Sequence, residues 1–119
     1  MPKGFRELKI WQKGYALLME IYRITATFPP EEKYGLSSQM RNSGNSVIAN
    51  IAEANGRYYY ADKTRILYIS RGECEETRSH LNVALDLKYI NKHTFDYLDQ
   101  EYEELAKGIN GYIRSLKKN

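Results

Sequence analysis

The sequence predicts an all-α protein, a single domain over residues 1–119 folded as an antiparallel up-down-up-down four-helix bundle. Prolines occur only at positions 2, 29 and 30, so long stretches contain no residue that interrupts a helix. Apolar residues recur at three- and four-residue spacing in four segments, and no hairpin dipeptide separates alternating apolar runs. The predicted connections are about four to eight residues long, which makes sequential helices antiparallel neighbours.

The first predicted helix, about residues 5–27, carries two apolar stripes on nearly opposite sides. A helix that is apolar on two sides needs two partners. One stripe is expected to face the rest of the bundle, and its members are Leu8, Trp11, Tyr15, Leu18, Met19, Tyr22 and Ala26. The other is predicted to contact another subunit, and its members are Ile10, Leu17, Ile21 and Ile24.

The second predicted helix, about residues 35–55, contains a stretch whose composition is typical of a turn, Asn42–Ser46. The apolar and small residues nevertheless keep one helical phase through that stretch, which a loop would not require. Gly44 costs roughly 1 kcal/mol against alanine within a helix. We therefore predict one continuous helix whose small residues, Ser43 and Gly44, allow a neighbouring helix to approach closely.

The third and fourth helices are predicted at about residues 62–87 and 94–117. Asp62 is a candidate N-cap for the third helix, because a side-chain oxygen there can accept a hydrogen bond from a free backbone N–H. The fourth helix has acidic residues early and basic residues late, an order that complements the helix dipole.

Bulk composition favours a cytoplasmic protein. The chain is 42% hydrophobic and 28% charged, with a net charge of +3 and one cysteine, Cys74, so no intrachain disulfide can form. It contains no apolar run of about 18 residues, which predicts no membrane span. Its first residues also lack the apolar stretch of a signal peptide.

The residues needed for catalysis are not grouped in the sequence, so we predict no enzyme activity, no metal and no cofactor. A di-metal bundle requires two Glu-x-x-His pairs, whereas this chain has two histidines, His80 and His93, neither in such a pair. No phosphate-binding loop is present, and no serine has an evident His and Asp set. Cys74 lies on an apolar stripe, where free cysteine is usually a buried residue.

Charge is unevenly distributed along the chain and suggests a nucleic-acid interface. Residues 33–72 sum to +4, residues 73–104 to −6 and residues 105–119 to +4. Aromatic side chains beside cations can stack on bases and contact phosphate. The candidate nucleic-acid contacts are Arg41, Arg57, Tyr58, Tyr59, Lys63, Arg65 and Arg71. Two other interpretations stay open: a solvated surface with salt bridges between helices, and tyrosines that pack the corner or line a subunit contact.

The chain resembles the family of 23S rRNA intervening-sequence proteins, sometimes labelled S23 ribosomal proteins. The segments that carry the resemblance are Phe5–Lys13, Ile21–Arg23, Phe28–Pro29, Tyr34–Leu36, Ser38–Arg41, Asn50–Glu53 and Ala84–Ile90. The resemblance implies a four-helix bundle whose reading frames in some bacteria lie within insertions in the large-subunit ribosomal RNA gene. It also implies kinship with the accessory protein of diversity-generating retroelements, a basic homopentamer that works with a reverse transcriptase and nucleic acid.

The family has no catalytic residues to carry over. We therefore expect a non-enzymatic homo-oligomer, a pentamer by resemblance, that binds structured RNA or a nucleic-acid-processing protein. The alternative is a structural or protein-interaction module that binds no nucleic acid.

Overall fold

The structure is a computed structural model that describes residues 4–117, and it contains four α-helices in that range. The helices are α1 at Lys9–Thr25, α2 at Leu36–Gly56, α3 at Tyr60–Asp86 and α4 at Lys92–Lys117. Short 3-10 turns at Phe5–Glu7 and Pro30–Glu32 precede α1 and α2. None of the four helices is both long enough and apolar enough to span a membrane.

Successive helices are antiparallel, as predicted. Between α2 and α3, the Ser70 hydroxyl donates to the Val47 carbonyl at 2.7 Å, and the Ser43 and Thr77 hydroxyls lie 2.7 Å apart. Residue numbers therefore rise along α3 as they fall along α2. The contacts of α1 with α2, and of α3 with α4, run in the same sense. Each helix packs against two neighbours, so the described chain forms the predicted bundle, about 46 Å long and 20–24 Å across.

The small residues in the middle of α2 form a close-packed contact with α1 and α3. The helix is continuous through Asn42–Ser46, which confirms the prediction from its apolar phase. A Cβ atom added to Gly44 would lie 3.1 Å from the Leu18 side chain of α1. Ser43 is 2% exposed and bonds to Thr77 of α3. Packing therefore offsets the low helix propensity of glycine and serine.

The prediction for the two stripes of α1 was wrong. Leu17, Ile21 and Ile24 are 3%, 0% and 4% exposed and lie in the core of this single chain, so they form no subunit contact. Ile10 is half-buried, and a Cβ atom added to Gly108 of α4 would lie 3.3 Å from its side chain. Aliphatic side chains lose more by exposure than Tyr, whose hydroxyl can contact water while its ring stays partly covered. The other stripe therefore faces outward over much of its length.

Helix ends differ from the predicted ends by up to four residues. The first helix begins at Lys9 because Leu8 has an extended backbone. The third begins at Tyr60, which places Asp62 in its first turn instead of at the N-cap. There the carboxylate still interacts favourably with the helix dipole. The fourth begins two residues early, and the Asn91 side chain accepts a hydrogen bond from the Thr94 N–H at 2.8 Å.

Candidate nucleic-acid interface

The corner between α2 and α3 exposes two tyrosines. Tyr58 is 86% exposed and Tyr59 is 67% exposed. Their rings pack edge to face on one another, with centroids 5.0 Å apart. The rings therefore do not fill the corner of the bundle, and both present aromatic surface to solvent.

Two of the predicted cations at this corner already have partners within the protein. The Lys63 ammonium donates to the carbonyl oxygens of Ala54 and Asn55, each at 3.2 Å, and so interacts with two carbonyls in the last turn of α2. Arg57 forms an exposed ion pair with Glu53, and that hydrogen bond raises the pKa of the Arg57 guanidinium. Lys63 therefore ties the first turn of α3 to the last turn of α2 beside the tyrosines, whereas Arg57 is paired with a side chain of α2.

The corner belongs to a larger basic surface, because α2 and α4 end where α1 and α3 begin. We call this surface the basic end. Its seven basic side chains are Arg6, Lys9, Arg57, Lys63, Arg65, Arg114 and Lys117. Its three acidic side chains are Glu7, Glu53 and Asp62, which leaves a net charge of +4. Four of these cations were not predicted from the sequence as nucleic-acid contacts: Arg6, Lys9, Arg114 and Lys117. The charge of +4 over residues 105–119 could have indicated the last two.

Four cations of the basic end are available to bind an anion. Within residues 4–117 these four are exposed and form no ion pair, no side-chain hydrogen bond and no contact with an aromatic ring: Lys9, Arg65, Arg114 and Lys117. Arg6 differs from them because its guanidinium lies over the Phe5 ring, 4.5 Å from the centroid. Acidic residues dominate the middle of α3 and α4 instead. Among them, Glu73 has a raised pKa, chiefly because its carboxyl group is partly buried and also because the negative charge of Glu76 lies nearby. The charge of the bundle is therefore polarised along its long axis.

Two of the predicted contact residues lie away from the basic end. Arg41 is one of them, about 24 Å from Arg57 along the axis of α2. Its Nε donates to the Thr25 hydroxyl at 2.8 Å, and its guanidinium lies over the Tyr22 ring. Arg71 donates to the Asn110 side chain at 3.0 Å on the α3–α4 face. The fold brings together the other five.

A second exposed feature lies along α1, where four side chains form the surface that we call the aromatic row. Its members are Trp11, Tyr15, Met19 and Tyr22. The Trp11 and Tyr15 rings stack with centroids 5.1 Å apart. Tyr15, Met19 and Tyr22 are 45%, 42% and 44% exposed. The row carries no charged side chain, which is unusual for an exposed helix face over three turns.

Two kinds of catalytic site, a metal centre and a cysteine nucleophile, find no support in the part of the chain that the structure describes. No three His, Cys, Asp or Glu side chains between residues 4 and 117 are grouped so that they could hold a metal ion. His80 lies 3.4 Å from Glu76 in an exposed pair. Cys74 is fully buried, and burial raises the pKa of its thiol to about 12, so it is no nucleophile in the folded chain.

Known proteins match both the sequence and the fold. The family model for the 23S rRNA-intervening sequence protein matches residues 6–111. A crystal structure of a protein of unknown function from the S23 ribosomal protein family, from Bacteroides thetaiotaomicron, is 25% identical and superposes with a TM-score of 0.81. That match covers 88% of this chain and 95% of the other. No curated protein matches. The chain belongs to the 23S rRNA-intervening sequence protein family.

Proposed function

We propose that this protein is a non-enzymatic helical bundle that binds structured RNA through its basic end. The observation that carries the proposal is the grouping of four unpaired cations, Lys9, Arg65, Arg114 and Lys117, beside the exposed rings of Tyr58 and Tyr59. Unpaired cations on one surface neutralise phosphates and release counterions. Exposed aromatic rings stack on unpaired bases, so an RNA hairpin with an unpaired loop suits this surface.

Salt dependence provides the first test. Four phosphate contacts predict that log K falls against log salt concentration with a slope of about −3. The affinity for an RNA hairpin is measured by fluorescence anisotropy between 50 and 300 mM KCl, a range that spans the expected fall. Absence of binding at the lowest salt concentration would refute the proposal and favour a protein-interaction module.

Charge-removing variants locate the contact surface. The triple variant Arg65→Gln, Arg114→Gln and Lys117→Gln removes three unpaired cations, so the slope should fall in magnitude by about 2 to 3. A matched control removes three cations that already form ion pairs elsewhere: Arg23→Gln, Lys92→Gln and Lys107→Gln. If both triple variants weaken RNA binding equally, the RNA is attracted by the overall positive charge of the protein, and the basic end is not the interface.

The tyrosines are tested separately, because they add a stacking contribution that salt does not screen. The double variant Tyr58→Ala and Tyr59→Ala should weaken hairpin binding about tenfold and leave the salt slope unchanged. For an RNA duplex without unpaired bases, the affinity of this double variant should be close to that of the wild-type protein. Unchanged binding of the hairpin would exclude stacking at this corner.

We also propose that the protein assembles into a homo-oligomer through the aromatic row, with five subunits by family resemblance. The specific observation is that an uncharged, half-exposed row extends from Trp11 to Tyr22. Aromatic residues and Met are enriched at interfaces between proteins.

Light scattering during size-exclusion chromatography counts the subunits. Tyr15→Glu with Met19→Glu places two charges on the row and should give a folded monomer. Tyr97→Glu, at a side chain that is 54% exposed on α4, is the matched control and should leave the subunit number unchanged. A wild-type monomer, or an oligomer that survives the double change, would exclude this surface.

A further inference from the structure

The corner between α1 and α2 holds two cations with no acidic partner. Lys33 and Arg41 both line two adjoining cavities, of about 280 and 270 Å³. Neither cavity is lined by an Asp or a Glu, and neither cation forms an ion pair within residues 4–117. Because both cations border the same space, an anion placed between them would lower the electrostatic energy of the corner.

Arg41 is fixed in an orientation that leaves donors free. Its Nε donates to the Thr25 hydroxyl at 2.8 Å, and one Nη2 proton points to the Tyr22 carbonyl oxygen at 3.4 Å. The guanidinium carbon lies 4.6 Å from the centroid of the Tyr22 ring. Because guanidinium has five N–H donors, three stay available on a group that is already oriented.

The hydroxyl of Ser37 adds a polar group to the same site. Ser37 is 7% exposed and lines the 270 Å³ cavity with Lys33 and Arg41. Within the described chain its hydroxyl makes no hydrogen bond, so the oxygen at the cavity wall is available to a ligand. The nearby Glu32 carboxylate is already engaged, since one oxygen accepts from the Leu36 N–H and the other from the Tyr89 hydroxyl.

We propose that Lys33, Ser37 and Arg41 form a site that binds the phosphate group of a nucleotide. The three groups offer an ammonium, a hydroxyl and an oriented guanidinium, which suit phosphate oxygens. Tyr34 is 87% exposed and borders the 280 Å³ cavity. The Lys33 ammonium lies over one face of its ring, 5.4 Å from the centroid, so a base would stack on the other face. Each cavity lies near the lower limit for small-molecule pockets, which suits a single nucleotide. The site is separate from the basic end.

Amide chemical shifts test the site directly. The ¹⁵N-labelled protein is titrated at constant ionic strength with 5′-AMP, inorganic phosphate or adenosine, while the amides of Gly35 to Arg41 are followed. AMP should cause saturable shifts there, phosphate should bind more weakly, and adenosine should cause none. Binding of AMP no tighter than that of phosphate would overturn the assignment to a nucleotide. Shifts that do not saturate would overturn the site itself.

Variants separate this site from general attraction. Lys33→Gln removes a cation that makes no hydrogen bond in the described chain, so it should weaken AMP binding about tenfold without unfolding the protein. Arg23→Gln removes an arginine of the same end of the bundle that is already paired with Glu20, and it should leave AMP affinity unchanged. Equal affinities of wild type and Lys33→Gln would refute the proposal. Loss of RNA binding in the basic-end triple variant, with AMP binding intact, would show that the two sites are independent.

Discussion

Replacing Tyr102 by phenylalanine should stabilise the protein. Tyr102 is 0% exposed, and its hydroxyl has no hydrogen-bond partner among residues 4–117. Burial raises the pKa of this hydroxyl well above its usual range, as expected for a group in an apolar setting. An unpaired buried hydroxyl lowers the free energy of unfolding by about 1–3 kcal/mol, whereas the small void left when it is removed lowers it by only about 0.5 kcal/mol. The free energy of unfolding should therefore rise by about 1 kcal/mol.

The assay is thermal unfolding followed by circular dichroism. For a chain of this length, a gain of 1 kcal/mol raises Tm by about 3–5 °C. Tyr89→Phe is the matched control, because the Tyr89 hydroxyl donates to Glu32 at 2.9 Å and its loss should lower Tm. A Tyr102→Phe variant with an unchanged or lower Tm would refute the reasoning, since it would mean that the buried hydroxyl is satisfied in solution.

Three further predictions concern packing and titration. Gly14→Ala should destabilise the protein, because the new Cβ would lie 2.5 Å from the Ile48 side chain. Gly72→Ala should stabilise it by about 0.5–1 kcal/mol, because nothing lies within 4 Å of the new Cβ. Urea midpoints of the two variants that move in the same direction would contradict this. Ile21→Ala should lower the free energy of unfolding by about 2–5 kcal/mol, and Tyr15→Ala should lower it much less. If urea unfolding gave similar losses for both variants, the assignment of Ile21 to the core would be wrong. Burial raises the pKa of Cys74 from 9.0 to about 12, so the unfolded chain loses this proton first and the free energy of unfolding should fall between pH 9 and 12. Urea midpoints at pH 8 and 10.5 test this, and a higher midpoint at pH 10.5 would contradict it.

The architecture was predictable because helical periodicity is local. The phase of Met40, Val47 and Ile51 predicted a continuous α2, and the structure confirms it through Gly44. The close approach of α1 at that glycine was also predictable, since only small residues interrupt the apolar stripe. Helix ends were less predictable, because they depend on single backbone angles such as that of Leu8 and on caps such as Asn91.

The candidate site was predictable only in part. The run from Arg57 to Arg65 identified the corner between α2 and α3, since it joins tyrosines and cations within nine residues. Lys9 and Lys117 could not be assigned to the basic end, because they lie at opposite ends of the chain and come to the same end of the bundle only when α1 packs against α4. For the same reason, Arg41 was grouped with residues from which the fold separates it.

The sequence by itself determined the number of helices, their order and the continuity of α2, because each depends on the spacing of neighbouring residues. Tertiary structure alone decided which side of α1 is buried, since both of its stripes are apolar. Closure of the bundle buries Ile21 and leaves Tyr15 half-exposed. A helical period records which side chains share a face, but the partner helices decide whether that face meets protein or water.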